Sequence, residues 1–245
     1  MGAGDAIAPE VTAGDVDAIR DHPAFRDVAV AYAGANLARY AALAPIERWL
    51  LSDMGRASMS SAMFLLAAQG RLTSASLLAA RPVSRGEVSR GRARLYLERV
   101  MSNGLIVPDD DEAPSHRDMR LSPSPRFSRV VLGPLREGLA ATARLSPRVA
   151  SALERLDDLD FARRLSIQVA VQLRAGDLFP LDRPLRLFHE RNGGTRILEA
   201  LLVRQPPDHA RFLSGCRVSH SALARAGACS RTHVIPLLRD VQALG

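Results

Sequence analysis

Two stretches of this chain repeat one another, and both contain side chains suited to contacts with a nucleic acid. Leu72–Val88 reads LTSASLLAARPVSRGEV, and Val218–Val234 reads VSHSALARAGACSRTHV. At a constant offset of 146 residues, Ser84 of the first copy aligns with Ser230 of the second, and an arginine follows each serine. Arginine hydrogen-bonds guanine edges or phosphate, and hydroxyl and imidazole groups bond either. The chemistry that these residues indicate is therefore recognition of DNA.

Each copy has the pattern of a helix-turn-helix. A short first helix carries leucine and alanine on its inner face, a tight turn follows, and the Ser-Arg pair begins a second helix that the serine caps. The first turn of such a second helix faces the DNA groove. The residues that this pattern assigns to DNA are Ser84, Arg85, Glu87, Ser89 and Arg90 in the first copy, and Ser230, Arg231, Thr232 and His233 in the second.

The elements around the first copy predict more than a pair of helices. Apolar residues recur at helical spacing over residues 23–43, Thr73 caps a short helix, and a longer helix is predicted over 84–103. A short strand at 105–107, a polar tip and a return strand at 118–122 follow. Helix, short strand, polar tip and return strand are the order of a winged helix.

The predicted fold is mainly α with a small β-wing, in which tandem winged helix-turn-helix domains are joined by helices. The predicted parts are a flexible N-terminal arm (1–22), a winged helix-turn-helix domain with flanking helices (23–145), a helical connector (146–182) and a second, partial winged-helix domain (183–245). The recognition helices are expected near 84–103 and 230–243.

The composition excludes several kinds of chemistry. The sequence contains no lysine, so all 33 basic residues are arginine. A Walker-type phosphate loop and a Schiff-base enzyme each need a lysine, so neither can be present. The six histidines are scattered, and Cys216 and Cys229 lack the partner pair of a zinc site. Because no nucleophile–base motif is visible either, we expect no catalytic site, no metal and no cofactor.

The charge of the chain fits double-stranded DNA as a partner. The net charge is +7, of which residues 186–245 carry +5. Replacement of lysine by arginine throughout an alanine-rich chain is also what a GC-rich genome produces. No signal peptide is visible in the first twenty residues, and the most apolar stretch, 28–46, is interrupted by Asn36, Arg39 and Pro45. We therefore expect a cytoplasmic protein without a membrane partner.

The first copy and its surroundings resemble a MarR-type winged-helix transcriptional regulator. The resemblance covers about residues 25–145 and rests on the repeat itself, the helix ending at Gly104, GLIVPDDDE and the return strand RDMRLSPSP. It implies that Ser84, Arg85, Glu87, Ser89 and Arg90 enter the major groove and that Arg117 and Arg120 serve the wing. It also implies a homodimer and allows a small-molecule effector. A second, partial resemblance covers 183–245.

These patterns predict a sequence-specific DNA-binding transcriptional regulator that acts as a homodimer or as an intrachain pseudo-dimer with two reading heads. Two other functions use the same elements. A plasmid-type replication initiator also carries paired winged helices and would bind iterated repeats at an origin. A winged-helix protein-interaction module would bind a protein partner and would show little salt-dependent affinity for DNA.

Overall fold

The protein is mainly helical and contains a small two-stranded antiparallel sheet, as the sequence predicts. The computed structural model describes residues 13–84, 88–109, 119–158, 160–165, 167–168, 183–205 and 217–244. The helices before the sheet are α1 (Ala13–Arg20), α2 (Phe25–Ala42), α3 (Pro45–Leu50), α4 (Met54–Ala68), α5 (Ser74–Leu78), α6 (Arg81–Ser84) and α7 (Arg90–Ser102). The strands are β1 (Ile106–Pro108) and β2 (Leu121–Pro123). The helices after them are α8 (Pro125–Ala143), α9 (Pro147–Glu154), α10 (160–165), α11 (Arg183–Glu190), α12 (Gly194–Val203), α13 (His220–Ala226) and α14 (Arg231–Gln242).

The first hydrophobic core lies among α3 to α10 and the sheet. Its largest buried side chains are Phe64, Tyr96, Phe127 and Phe161. Phe64 of α4 and Phe127 of α8 pack edge to face with their ring centroids 5.4 Å apart, a geometry that adds to the effect of area burial. Phe161 belongs to α10, so the described part of the predicted connector packs into the first core.

The sheet closes this core on one side and is tied to the start of α5. Ile106 pairs with Pro123, and Pro108 pairs with Leu121, in antiparallel register. The Leu121 N–H donates to the Leu72 carbonyl at 2.9 Å. An isolated antiparallel bridge joins Thr73, which follows Leu72, to Arg120, which precedes Leu121. β2 begins at Leu121, three residues later than the start at 118 that the sequence predicted.

The second hydrophobic core is formed by α11 to α14. Phe188, Ile197, Leu223 and Val234 are each 1% exposed or less, and each lies on a different helix of the four. Apolar residues at helical spacing therefore account for this core, as they do for the first.

α2 lies between the two cores and packs against α8 on one side and α12 on the other. Leu37 of α2 contacts the second core, and Leu43, just after the helix, contacts the first. The fully buried Asn36 lies in the same helix. Because α2 packs on a helix of each core, the two copies of the repeat belong to units that share a packed boundary.

The predicted start of the first recognition helix, at Ser84, is wrong. Ser84 ends the short helix α6, and α7 begins at Arg90 after the N-cap residue Ser89. Val88 is only 3% exposed, and its N–H donates to the Pro82 carbonyl at 2.8 Å. The burial of Val88 and this hydrogen bond fix the chain directly before Ser89, so the helix begins only after that residue.

The N-terminal segment 1–22, predicted as a flexible arm, contains α1 at Ala13–Arg20, and residues 1–12 lie outside the described residues. The prediction for 230–243 agrees with α14 to within one residue. None of the helices in the described ranges is long and apolar enough to span a membrane.

Candidate nucleic-acid interface

α5 and α7 form the first helix pair, and hydrogen bonds from side chains fix where each begins. Thr73 Oγ1 accepts from the Ser76 N–H at 3.0 Å, and Ser76 Oγ accepts from the Thr73 N–H at 2.9 Å. Ser89 Oγ accepts from the Arg92 N–H at 3.3 Å. These bonds satisfy N–H groups that the first turn of a helix leaves without partners. The two helices are therefore held in register with one another.

α7 turns an apolar face to the core and a basic face to solvent. Ala93, Tyr96 and Val100 are each 1% exposed or less. Arg90 and Arg94 are exposed and, being four residues apart, lie on the same face of the helix. Neither guanidinium has a hydrogen bond or ion pair to a described residue. Both cations are available to an external anion.

A groove of about 220 Å³ separates α5 from the basic face of α7. Its lining combines small side chains of the first helix and turn with the two arginines: Ser74, Ala75, Leu78, Ala79, Arg90 and Arg94. Because the side chains of α5 that line the groove are mostly small, they leave Arg90 and Arg94 uncovered.

Two further arginines of α7 are already engaged within the protein. Arg92 Nη2 lies 3.2 Å from both carboxylate oxygens of Asp53, which also caps α4 by accepting from the Arg56 N–H at 3.0 Å. The Arg99 guanidinium lies 4.9 Å from the centroid of the Trp49 ring. These contacts position α7 against α3 and the start of α4.

The hairpin places Arg120 beside the start of α5. Arg120 is exposed, its carbonyl accepts from the Asp109 N–H at 2.9 Å, and its backbone bridges to Thr73. The residue after Thr73 is Ser74, which lines the groove with Arg90 and Arg94. Arg120 therefore belongs to the same end of the first unit as the basic face of α7.

α13 and α14 form the second helix pair. Ser219 Oγ accepts from the Ala222 N–H at 3.2 Å at the start of α13. Ser230 is the N-cap residue of α14, and its hydroxyl lies 2.7 Å from Thr232 Oγ1. Arg231 is exposed and has no partner among the described residues, so it matches Arg90 in availability.

His233 differs from the other residues predicted to contact DNA on α14. It is half-buried, and its Nε2 is buried without a hydrogen-bond partner among the described residues. Arg231 and Thr232 are exposed beside it. Among the residues of α14 predicted to contact DNA, the side chains open to a ligand are therefore those of its first two residues, Arg231 and Thr232.

The helix starts that correspond in the two units are offset by 141 residues. Ser89 matches Ser230, an arginine follows each, and the buried Tyr96 matches the buried Leu237. The five additional residues of the first unit fall in α6 and residues 85–87, before the helix. The serine and arginine at 84–85 are therefore not the structural counterparts of those at 230–231.

The structure places the remaining predicted residues as follows. Ser84 ends α6, away from the start of α7, and Arg85, Glu87 and Arg117 lie outside the described residues. Arg94 was missed by the sequence analysis because the helix start was misplaced. Helical spacing counted from Ser89 would have found it, four residues after Arg90.

No protein-family model, curated protein or solved structure matches this chain. In the part of the chain that the structure describes, no group of three His, Cys, Asp or Glu side chains is placed to hold a metal ion. The function is therefore inferred from the geometry of the two helix pairs.

Proposed function

We propose that this protein is a sequence-specific, double-stranded-DNA-binding transcriptional regulator with two winged-helix-type units in one chain. The observation that carries the proposal is the matched start of α7 and α14. Each helix begins at a serine N-cap, and each presents an exposed arginine without an internal partner at its first residue, Arg90 and Arg231. Arginine at the first turn of a recognition helix contacts guanine or phosphate.

The arrangement around α7 supports the proposal for the first unit. α7 has 13 residues, about 20 Å of helix, which is long enough to enter a major groove about 12 Å wide. The hairpin, joined to the start of α5 through Thr73 and Arg120, has the position of a wing. Arg120 is suited there to contact phosphate beside the groove.

The presence of two units suggests how a symmetric site would be read. One chain would place α7 and α14 on two half-sites, or two chains would pair and use α7 of each. Half-sites read by paired recognition helices lie about 34–36 Å apart, one turn of DNA. The spacing of half-sites in bound DNA therefore distinguishes a pseudo-dimer from a homodimer when it is combined with the measured stoichiometry.

The test is selection of bound sites from random DNA by the full chain, followed by salt titration of the selected site. We expect a defined consensus and an affinity that falls steeply with salt, because each phosphate contact contributes about 0.9 to the slope of log K against log salt. Arg90→Ala and Arg231→Ala should each weaken specific binding by about 1–3 kcal/mol. Arg144→Ala, an exposed arginine at the end of α8, is the matched control for loss of charge.

Arg90→Lys separates base reading from phosphate contact. Lysine keeps the charge but lacks the planar fork, so it loses specificity if Arg90 reads a base and retains binding if Arg90 contacts phosphate. Retention of full affinity by both alanine variants would remove α7 and α14 as readers. Selected sites that consist of iterated repeats would favour the replication initiator.

One observation favours a protein-interaction module as the second candidate. Leu95 on α7 is 45% exposed and Val107 on β1 is 41% exposed, and a protein partner would remove both from water. Leu95→Ser would weaken binding to a protein partner and leave the salt dependence of DNA binding unchanged. DNA affinity that is weak and independent of salt would support this candidate over the regulator.

A further inference from the structure

A cavity of about 460 Å³ lies between α2, α4 and α8 on one side and α11 and α12 on the other. Its apolar lining comes from the first unit and includes Leu51, Met54, Val131, Leu135 and Leu139. The same unit also contributes polar lining residues, which are Ser52, Asp53, Ser58, Ser60 and Ser61. A cavity of this volume is of the size that small organic ligands occupy, and its apolar lining would contact a hydrocarbon group.

The residues that the second unit contributes to the cavity are all polar. Arg196 and Glu199 of α12 line it and are 6% and 4% exposed. Arg196 Nη1 donates to Glu199 Oε2 at 2.6 Å, and Asn36 Nδ2 donates to Glu199 Oε1 at 3.2 Å. His189 of α11 also lines the cavity. Each carboxylate oxygen of Glu199 therefore accepts a hydrogen bond from within the protein.

A second arginine joins this buried network. Arg39 of α2 donates from Nη2 to Asn36 Oδ1 at 3.1 Å, and the Glu137 carboxylate of α8 acts on Arg39 electrostatically, so two guanidinium groups and two carboxylates lie in this neighbourhood. Arg196 Nε is buried and has no hydrogen-bond partner among the described residues, and the same is true of Arg39 Nε. A buried donor without an acceptor costs free energy that a ligand can recover.

We propose that this cavity binds an amphipathic organic carboxylate. Its carboxylate would lie beside Arg196 and supply the acceptor that Nε lacks, and its apolar body would lie against Leu135 and Leu139. A ligand with a positive charge would not supply that acceptor, and the Arg196 guanidinium would repel it. This inference concerns the boundary between the two units, and it does not depend on whether α7 or α14 binds DNA.

The binding test uses four small molecules and the full chain. Cyclohexanecarboxylate, cyclohexylamine and cyclohexanol share a ring and differ in charge, and acetate has the carboxylate without the ring. We expect cyclohexanecarboxylate to bind saturably by calorimetry with a dissociation constant of about 1 mM or below. Cyclohexanol should bind at least about tenfold more weakly, because it lacks the charge-assisted hydrogen bond. Acetate and the amine should not bind.

A cavity-filling variant locates the site. A Cβ on Gly138 of α8 would meet the Tyr32 ring at 3.9 Å, an ordinary contact, so a side chain is accommodated there. Gly138 lines the cavity. Gly138→Leu should abolish binding of cyclohexanecarboxylate, and Gly138→Ala, which adds one methyl group to the same helix, should retain it. Circular dichroism checks that both variants are folded.

Glu199→Gln is expected to strengthen ligand binding, whereas Gly138→Leu is expected to abolish it. Removal of the negative charge leaves Arg196 without a competing anion, so binding of the carboxylate should become severalfold tighter. Unchanged or weaker binding in this variant would overturn the proposal. Equal binding of the amine and the carboxylate, or binding that persists in Gly138→Leu, would overturn it as well.

Discussion

Gly193 and Gly227 approach each other so closely that the start of α12 has no room for a side chain and the end of α13 has little. A Cβ on Gly193 would lie 2.2 Å from the Gly227 carbonyl oxygen, and Gly193 has a positive φ of 71°. A Cβ on Gly227 would in turn lie 3.0 Å from the Ile197 side chain. This contact sets how α13 and the following turn lie against α12, and therefore where α14 begins.

Gly193→Ala should destabilise the protein by more than about 2 kcal/mol, because the left-handed backbone disfavours a side chain and the methyl group meets backbone atoms that cannot rotate away. Urea denaturation measures the loss. The control is Gly91→Ala in the exposed face of α7, where a Cβ meets nothing within 4 Å. That variant should be stabilised by about 0.5–1 kcal/mol through helix propensity. Equal stability of the two variants would contradict this account.

Asp53 is expected to act mainly as a helix cap. It accepts from the Arg56 N–H at the start of α4 and forms ion pairs with the Arg92 and Arg56 side chains. Asp53→Ala should lower the free energy of unfolding by about 1–2 kcal/mol, whereas Asp53→Asn should lose much less because asparagine also caps helices. The Arg92 side chain is 55% exposed, so its ion pair adds only a few tenths of a kcal/mol. Similar losses in both variants would show that charge outweighs capping.

The stability of the protein should fall as pH rises from about 5 to about 8 because of Glu199. Burial is the largest cause that raises the pKa of Glu199 to about 7 from 4.5, against the opposing effects of Arg196, Asn36 and Arg39. The folded state therefore binds more protons than the unfolded state between these pKa values, and the free energy of unfolding decreases with pH in that window. The loss is on the order of 3 kcal/mol.

Glu199→Gln should remove this part of the pH dependence. The groups that face Glu199 are Arg196 on its own helix, Tyr32 and Arg39 on α2, and His189 on α11. Burial lowers the pKa of His189, which makes stability fall towards acid pH, and that component should remain in the variant. Urea denaturation of both proteins at about pH 5 to 8 gives the difference in slope. Parallel pH profiles would contradict the prediction.

Leu77 and Leu223 are equivalent in the repeat, and each is 1% exposed or less. Leu77→Ala and Leu223→Ala should each cost about 2–5 kcal/mol. Because α2 packs on α8 of the first core and on α12 of the second, we expect one cooperative unfolding transition that both substitutions shift together. Two separate transitions, each shifted by one substitution alone, would show that the units unfold independently.

The sequence was sufficient for features that local interactions decide. The Thr73 cap, α14 and the mainly helical fold follow from helical periodicity and serine or threonine at helix starts. Leu77 and Leu223 align in the repeat, and both prove to be buried in their respective cores. Side chains three or four residues apart share a helix face in any context, so this information is present in the sequence alone.

The local sequence does not determine which residue begins α7. Ser84 and Ser89 are each followed by arginine, and either serine can cap a helix. The burial of Val88 in the first core and its hydrogen bond to Pro82 select Ser89. The side chains offered by the basic face therefore depend on a packing contact, and Arg94 became visible only through it.

Local patterns were enough to predict a helical chain with two similar helix pairs and no lysine chemistry. Folding in three dimensions was needed to pack α2 against both α8 and α12 and to bring Asn36 to Glu199, 163 positions away, beside a partly apolar cavity. Helix periodicity fixes which face of a helix is buried, because neighbouring turns are covalently connected. Which helix covers that face depends on the shape and polar groups of distant surfaces, and those meet only when the chain is folded.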